Sequence, residues 1–207
     1  MPLQNRVDPT GDICAVSSRG FFMGNRGRLH DPQTKLLLKR RWALKAWIIC
    51  LTQFKGRERK LMGESYTELF FLDEVTALAA GHRPCFECRR KAAKAYQAAW
   101  QKAAQLCELP KVATMDAQLH KERLDGREKQ KHQLAKNTLP DGAIIEHDGT
   151  HYALKNSALL PWNFEGYKAA NIAFDDLPEK LTCLTPPATL DVLRGGYIPD
   201  WHPSADL

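Results

Sequence analysis

No stretch of this 207-residue chain approaches the roughly 18 consecutive apolar residues of a membrane-spanning helix. The opening residues, Met1-Pro2-Leu3-Gln4-Asn5-Arg6, carry no apolar block of the kind a secretory signal needs. Cysteine is sparse. Of six cysteines, Cys14, Cys50, Cys107 and Cys183 are widely scattered, and a chain with 43% hydrophobic residues builds a core without disulfide staples. Internal repeats and low-complexity tracts are absent as well. These absences argue against a membrane protein or a disulfide framework. The expectation is a cytoplasmic protein with reduced thiols and no membrane partner.

Acidic residues are nearly missing from one segment. Residues 16–60 hold twelve Lys or Arg against only Asp31 and Glu58, a local excess of +10 in a chain of net charge +6. Lysine and arginine gain affinity for a polyphosphate by releasing condensed counterions, so this concentration suggests nucleic acid as partner. The candidate contacts are Arg26, Arg28, Arg40, Arg41, Arg57, Arg59 and Lys60, joined by Arg83, Arg89 and Arg90 farther along. The competing reading is a solvated basic face without a partner.

What is present, and most specific, is Gly81-His82-Arg83-Pro84-Cys85-Phe86-Glu87-Cys88-Arg89-Arg90. Two cysteines two residues apart reach one tetrahedral ion, and zinc is the expected cofactor. Asp73 is placed to cap a short helix over Glu74–Ala80, Gly81 to end it and Pro84 to prevent its continuation. Cys85 and Cys88 then fall just before an Ala-rich helix expected over Glu87–Cys107, whose free N–H groups stabilise thiolates. A C-x-x-C pair needs further ligands from elsewhere. Of the histidines, His30 and His82 lie nearby and His120 or His132 could fold back to the site; His30 is the preferred candidate.

The remaining chain reads as a mixture of elements. The first 40 residues, punctuated by Gly20, Gly24, Gly27 and Pro32, read as irregular. Strands are expected within Trp42–Phe54 and over Tyr66–Leu72, antiparallel to one another. The segment from Met115 to about Lys136 reads as a charged helix. Ala143–His147, Asp148-Gly149 and Thr150–Leu154 predict a tight hairpin, with further strands at Leu159–Trp162 and Lys180–Leu184. Thr185 is expected to cap a helix that ends at Gly195-Gly196. The fold class is therefore α+β. A zinc-stabilised antiparallel-strand and helix part over 1–110 is followed by a charged connector over 111–138 and a small β-rich part over 139–207.

An Ile-Ile-Cys strand (Ile48, Ile49, Cys50), an apolar strand, a short helix and Ala77-Leu78-Ala79-Ala80-Gly81-His82-Arg83-Pro84-Cys85-Phe86-Glu87-Cys88-Arg89 together resemble the zinc-binding domain of Ada-type DNA repair proteins. The resemblance runs over Trp47–Arg90. In that family four cysteines bind zinc, and the first accepts a methyl group from a DNA phosphotriester. The resemblance implies Cys50, Cys85 and Cys88 as ligands and Cys50 as a possible methyl acceptor. The family's second cysteine would fall at Phe54, so one ligand is missing and His30 is left as its substitute.

A second group, His120, Glu122, Asp125 and His132, mixes imidazoles and carboxylates in a cation-rich segment, as metal-assisted phosphodiester cleavage requires. A salt-bridged solvated helix accounts for the same residues. Three functions are thus open: a zinc-centred nucleic-acid-binding protein in DNA repair or damage recognition, a hydrolase or cysteine methyl acceptor, and a zinc-stapled protein-interaction module.

Overall fold

The computed structural model describes residues 1–58 and 60–206. Six short strands form the first sheet: β1 (Arg6–Val7), β2 (Ile13–Cys14), β3 (Phe22–Asn25), β4 (Ile48–Leu51), β5 (Leu69–Phe71) and β6 (Arg83–Pro84), in the order β2-β1-β5-β3-β4-β6. The expected strands at 42–54 and 66–72 are therefore present as β4 and β5, but they are not partners. β3 lies between them, antiparallel to both. It comes from the glycine-punctuated segment that reads as irregular. A Cβ on Gly24 would stand 2.2 Å from the Ile48 carbonyl oxygen and 2.9 Å from the Phe71 ring. That glycine marks a close approach inside a sheet rather than a turn.

Helix α1 (Glu74–Ala79) follows β5 and is buried along its whole length. Asp73 caps it as expected, accepting from the Thr76 N–H at 2.8 Å, and Gly81 takes the left-handed conformation (φ +87°) that ends it. The Ala-rich helix is α2 (Arg90–Ala103), and α3 (Val112–Arg123) comes next. The charged segment does not stay helical to residue 136. At Leu124 it turns into a small ribbon of β7 (Leu124–Asp125) and β8 (Glu128–Lys129), reversed at Gly126 with φ +59°.

The second sheet comprises β9 (His132–Ala135), β10 (Ile144–His147), β11 (Thr150–Lys155), β12 (Ala158–Asn163), β13 (Gly166–Tyr167) and β14 (Lys180–Cys183), in the order β13-β12-β11-β10-β14-β9. The hairpin is as read: His147 pairs with Thr150 across Asp148 (φ 46°) and Gly149 (φ 72°), the two left-handed positions of a type I′ turn. Helix α4 (Pro187–Arg194) begins at the proline pair, but Thr185 does not cap it. Its hydroxyl accepts from the Ile144 N–H at 2.9 Å, serving the sheet instead.

The architecture is α+β, and the core runs through the chain without respecting the expected segment boundaries. Val192 and Leu193 of α4 and Met115 and Leu119 of α3 pack with Ile49, Leu69, Phe71 and Tyr96. On the other side, Val75 and Ala79 of α1 pack with Ile144, Ala153 and Leu160 of the second sheet. Helix α1 thus serves both halves, and the acidic residues at its start tie the C-terminal segment to it. Asp73 accepts from the Tyr167 hydroxyl at 2.8 Å and the His202 N–H at 3.1 Å. Glu74 accepts from both guanidinium nitrogens of Arg89 at 2.6 and 2.8 Å, from the Tyr197 hydroxyl at 2.6 Å and from the Asp200 N–H at 2.9 Å. No helix among the described residues is long and apolar enough to cross a membrane.

Candidate metal centre

Cys50 stands on β4 opposite Met23 of β3. The two-residue strand β6 runs parallel to β4, with Ile49 beside Pro84, and the ladder ends in a bond from the Cys85 N–H to the Ile49 carbonyl at 2.9 Å. Proline is tolerated there because β6 is the edge of the sheet. A turn then carries the chain from Cys85 to Cys88, closed by the Arg89 N–H on the Cys85 carbonyl at 3.0 Å. These local constraints bring the sulfurs of Cys50, Cys85 and Cys88 within 4.8 Å of one another. A tetrahedral ion bound to sulfur at about 2.3 Å sets its sulfurs roughly 3.8 Å apart, so one ion fits three such ligands with little rearrangement.

The surroundings favour thiolate at Cys85 and the neutral thiol at its two neighbours. Cys50 and Cys85 are 6% and 7% exposed, Cys88 is half-buried, and Met23, Ile48, Tyr66 and Phe70 pack around them. The Cys50 thiol donates to the Cys85 sulfur, and the backbone N–H groups of Cys88 and Glu87 also point at it, the latter at 3.4 Å. Against opposing burial they pull Cys85 down to about 5. Cys50, the donor in that pair, is correspondingly pushed up, and burial raises Cys88. A divalent cation at this point would replace the thiol protons and relieve the crowding of three sulfurs in an apolar pocket. The cysteines are all free thiols.

His30 is not part of the centre. Its ring is fully buried, Nδ1 is engaged by the Thr67 hydroxyl at 2.6 Å and Nε2 by the Gly63 carbonyl at 2.7 Å. A histidine held at both nitrogens is a structural tie. His82 is not a ligand either; it sits in the interior with Nε2 accepting from Arg26 at 3.3 Å. Phe54, where a fourth cysteine would fall, lies under the cations of Lys55 and Arg57. Among the described residues the three cysteines are the only such ligand group. On the Cys88 side a cleft of about 690 Å³ opens, bordered by Leu51, Arg90, Lys91, Tyr197 and Ile198.

The segment 120–132 does not bring His120, Glu122, Asp125 and His132 together as a metal-holding group. His120 packs edge-on against Trp42 and accepts from Arg123 at 3.1 Å. Glu122 accepts from Gln118 at 2.6 Å and from the Ala188 N–H at 2.8 Å, so it holds the start of α4. His132 donates from Nε2 to the Glu122 carbonyl at 2.8 Å, and Asp125 is exposed in the β7–β8 ribbon. His120, Glu122 and His132 thus have separate structural uses, and Asp125 faces solvent.

The basic residues divide in two. Arg26, Arg83 and Arg89 are buried at 1%, 4% and 7% exposure, so phosphate does not reach them. Arg83 forms a fork to Asp116, with both bonds at 2.8 Å, and Arg89 is held by Glu74 and Asp200. Arg26 stacks on Trp47 with its carbon 3.9 Å from the ring centroid. Arg41 pairs with Asp12, and Arg57 with Glu87 at 2.6 Å, at the surface. Arg28, Arg40, Lys60 and Arg90 are exposed and lack a partner among the described residues. Arg59 lies outside the described residues. Comparison of the chain with models of known families, with curated proteins and with solved structures finds no match.

Proposed function

We propose that this chain is a zinc-centred α+β protein that binds nucleic acid, with a role in DNA repair or damage recognition. The observation that carries the zinc reading is the convergence of Cys50 from strand β4 with Cys85 and Cys88 from the turn between β6 and α2. A metal there would join β4, β6 and the beginning of α2 covalently, and its binding energy would be folding energy. Arg90 and Lys91 follow the last ligand closely and border the adjoining cleft, so exposed positive charge stands beside the centre.

In this reading the cysteines are ligands, and the centre is scaffolding for a phosphate-binding surface. Cys50 is enclosed by apolar neighbours at 6% exposure, which argues against its meeting a bulky DNA phosphotriester. Three thiolates also give the metal less negative charge than the four of the Ada-type shell, which lowers sulfur nucleophilicity.

The test joins metal analysis with binding. Protein purified without chelator is expected to carry about one zinc ion per chain, and to bind duplex or single-stranded oligonucleotides with affinity that falls steeply with salt. Zinc with no binding at low salt would replace this reading by the protein-interaction module. A methyl-sized mass increase on Cys50 after incubation with methylphosphotriester DNA would replace it by the methyl acceptor.

A further inference from the structure

Residues 23–27 and 29–30 are all buried, and Arg28 alone in that run reaches solvent. Two neighbouring backbone segments close on it from either side. The Leu38 N–H donates to the Leu29 carbonyl at 2.7 Å, and the Ala43 and Leu44 N–H groups both donate to the Arg26 carbonyl, at 2.8 and 3.1 Å. A Cβ on Gly27 would stand 3.3 Å from Leu44 Cγ, so that leucine lies against the residue before Arg28. Leu37 bridges to His30 and packs onto the core, which turns Leu36 and Leu38 outward. Leu36, Leu38 and Leu44 are 70%, 39% and 54% exposed. Three of the nine large hydrophobic side chains exposed among the described residues thus fall on this one loop, around an exposed arginine.

The backbone beneath these tips is fixed. The Lys39 carbonyl accepts from Arg127, the Leu44 carbonyl from the Trp47 indole N–H at 3.0 Å, and the Lys45 carbonyl from Arg123 at 2.6 Å. A loop pinned in this way loses little freedom when a partner covers it. Its charge is of one sign. Lys39, Arg40 and Lys45 are exposed, like Arg28, and none has a side-chain partner among the described residues. The acids that approach are engaged: Asp12 and Glu128 both face Arg41, and Asp31 accepts from the N–H groups of Gln33 and Thr34.

We propose that this loop binds duplex DNA from the minor groove, with Arg28 entering the groove and Leu38 and Leu44 pressing between base pairs beside it. The proposal rests on the nucleic-acid reading above and adds to it a strand type and a mode of binding. Apolar wedges next to a groove-entering arginine unstack base steps and kink the duplex, while surrounding cations hold the phosphates. Lys39, Arg40 and Lys45 supply those cations. A single strand is a poorer fit, because it is held by stacking on aromatic faces and Trp42, the aromatic residue of this loop, is packed against His120. A bilayer is poorer too: the leucines stand on an irregular loop, without the apolar helix face that membrane-surface segments bury.

Full-length protein as purified, added to a duplex that carries 2-aminopurine and a dye at each end, tests this. Aminopurine fluorescence is expected to rise as a base step unstacks, and energy transfer between the ends to rise as the duplex bends. Leu38→Gln combined with Leu44→Gln changes only exposed side chains and is expected to keep Tm. It should abolish both signals and weaken binding at least about tenfold, since two apolar side chains no longer leave water. The slope of log affinity against log salt should stay as it was, because no phosphate contact is lost. A duplex bound with neither signal, a double variant that bends it as the wild type does, or tighter binding to the single strand would overturn the insertion and leave the nucleic-acid reading standing. Binding to no oligonucleotide at low salt would overturn both. Leucine-dependent binding to phosphatidylserine vesicles in place of duplex would assign the loop to a membrane surface and overturn the proposal as well.

Discussion

The Cys85 N–H donates to the Ile49 carbonyl at 2.9 Å, and this bond sets Cys85 beside Cys50 across two strands that meet over only two residue pairs. So short a parallel ladder has little stability of its own. A metal ion held by the cysteines it brings together would staple it.

Cys85→Ser or Cys88→Ser is expected to lower zinc content below one per chain and to destabilise the fold by at least about 3 kcal/mol, a fall in Tm of roughly 6–12 °C for a domain of this size. Atomic absorption and thermal unfolding with and without chelator check it. Cys107→Ser, at an exposed thiol outside the cluster, is expected to change neither.

The Glu74 carboxylate gathers three separate parts of the chain: Arg89 through both nitrogens, the Tyr197 hydroxyl and the backbone of Asp200. Removing one member of a buried pair leaves the other charge uncompensated, at a cost of about 3–5 kcal/mol. Glu74→Ala is expected to lose that much in urea unfolding and to free the 197–206 segment to limited proteolysis. Arg89→Met in combination with Glu74→Leu should recover part of the loss. If the double variant were no better than Glu74→Ala, the buried charge would not be the cause.

Much of the second half is legible in the sequence because its signals are local. Asp148-Gly149 specifies a hairpin turn by itself, and Asp73 with Gly81 brackets α1 in the same way. The pairing of Cys85 with Cys88 is equally a matter of spacing. Cys50 is reached only through the resemblance to the Ada-type domain, because nothing local ties β4 to the turn. What escapes depends on neighbours. Gly24 looks like a turn former until Ile48 and Phe71 are seen closing on it. Arg26, Arg83 and Arg89 look like surface charge until Trp47, Asp116 and Glu74 are found against them. His30 looks like a ligand until Thr67 and Gly63 take both its nitrogens. A charge run records composition and not direction, so its buried and exposed members are indistinguishable along the chain.

The stem of Lys129 is half-exposed, but its ammonium is enclosed, and burial, reinforced by Arg26 and Arg123, pushes it down to about 7. In the unfolded chain the same group holds its proton to about 10.5. Between these values the unfolded state binds more protons, so folding stability contributed by this group rises with pH from about 7 to about 10.5 and its penalty is complete below 7. Unfolding measured at constant ionic strength over that window is expected to show the rise, and Lys129→Met to flatten it. A wild-type profile no steeper than that of the variant would place the ammonium in water.

The division of the arginines separates binding from folding in a single experiment. Removing one cation that neutralises a phosphate reduces the slope of log affinity against log salt by about 0.9 for duplex DNA and about 0.7 for a single strand. Arg28, Arg40, Lys60 and Arg90 are exposed and unpaired among the described residues, so replacing all four by Gln is expected to flatten the slope by up to about 3.6 for duplex and about 2.8 for a single strand while leaving Tm nearly unchanged. Arg83 is the contrast. Its guanidinium is locked to Asp116 in the interior, so Arg83→Gln is expected to lower Tm by roughly 6 °C or more and leave the slope of the folded protein as it was. The two variants should therefore move different observables. If Arg83→Gln flattened the slope as much as the surface quadruple did, nucleic acid would be reaching the interior cations, and the partition of this basic segment into structural and surface charge would fail.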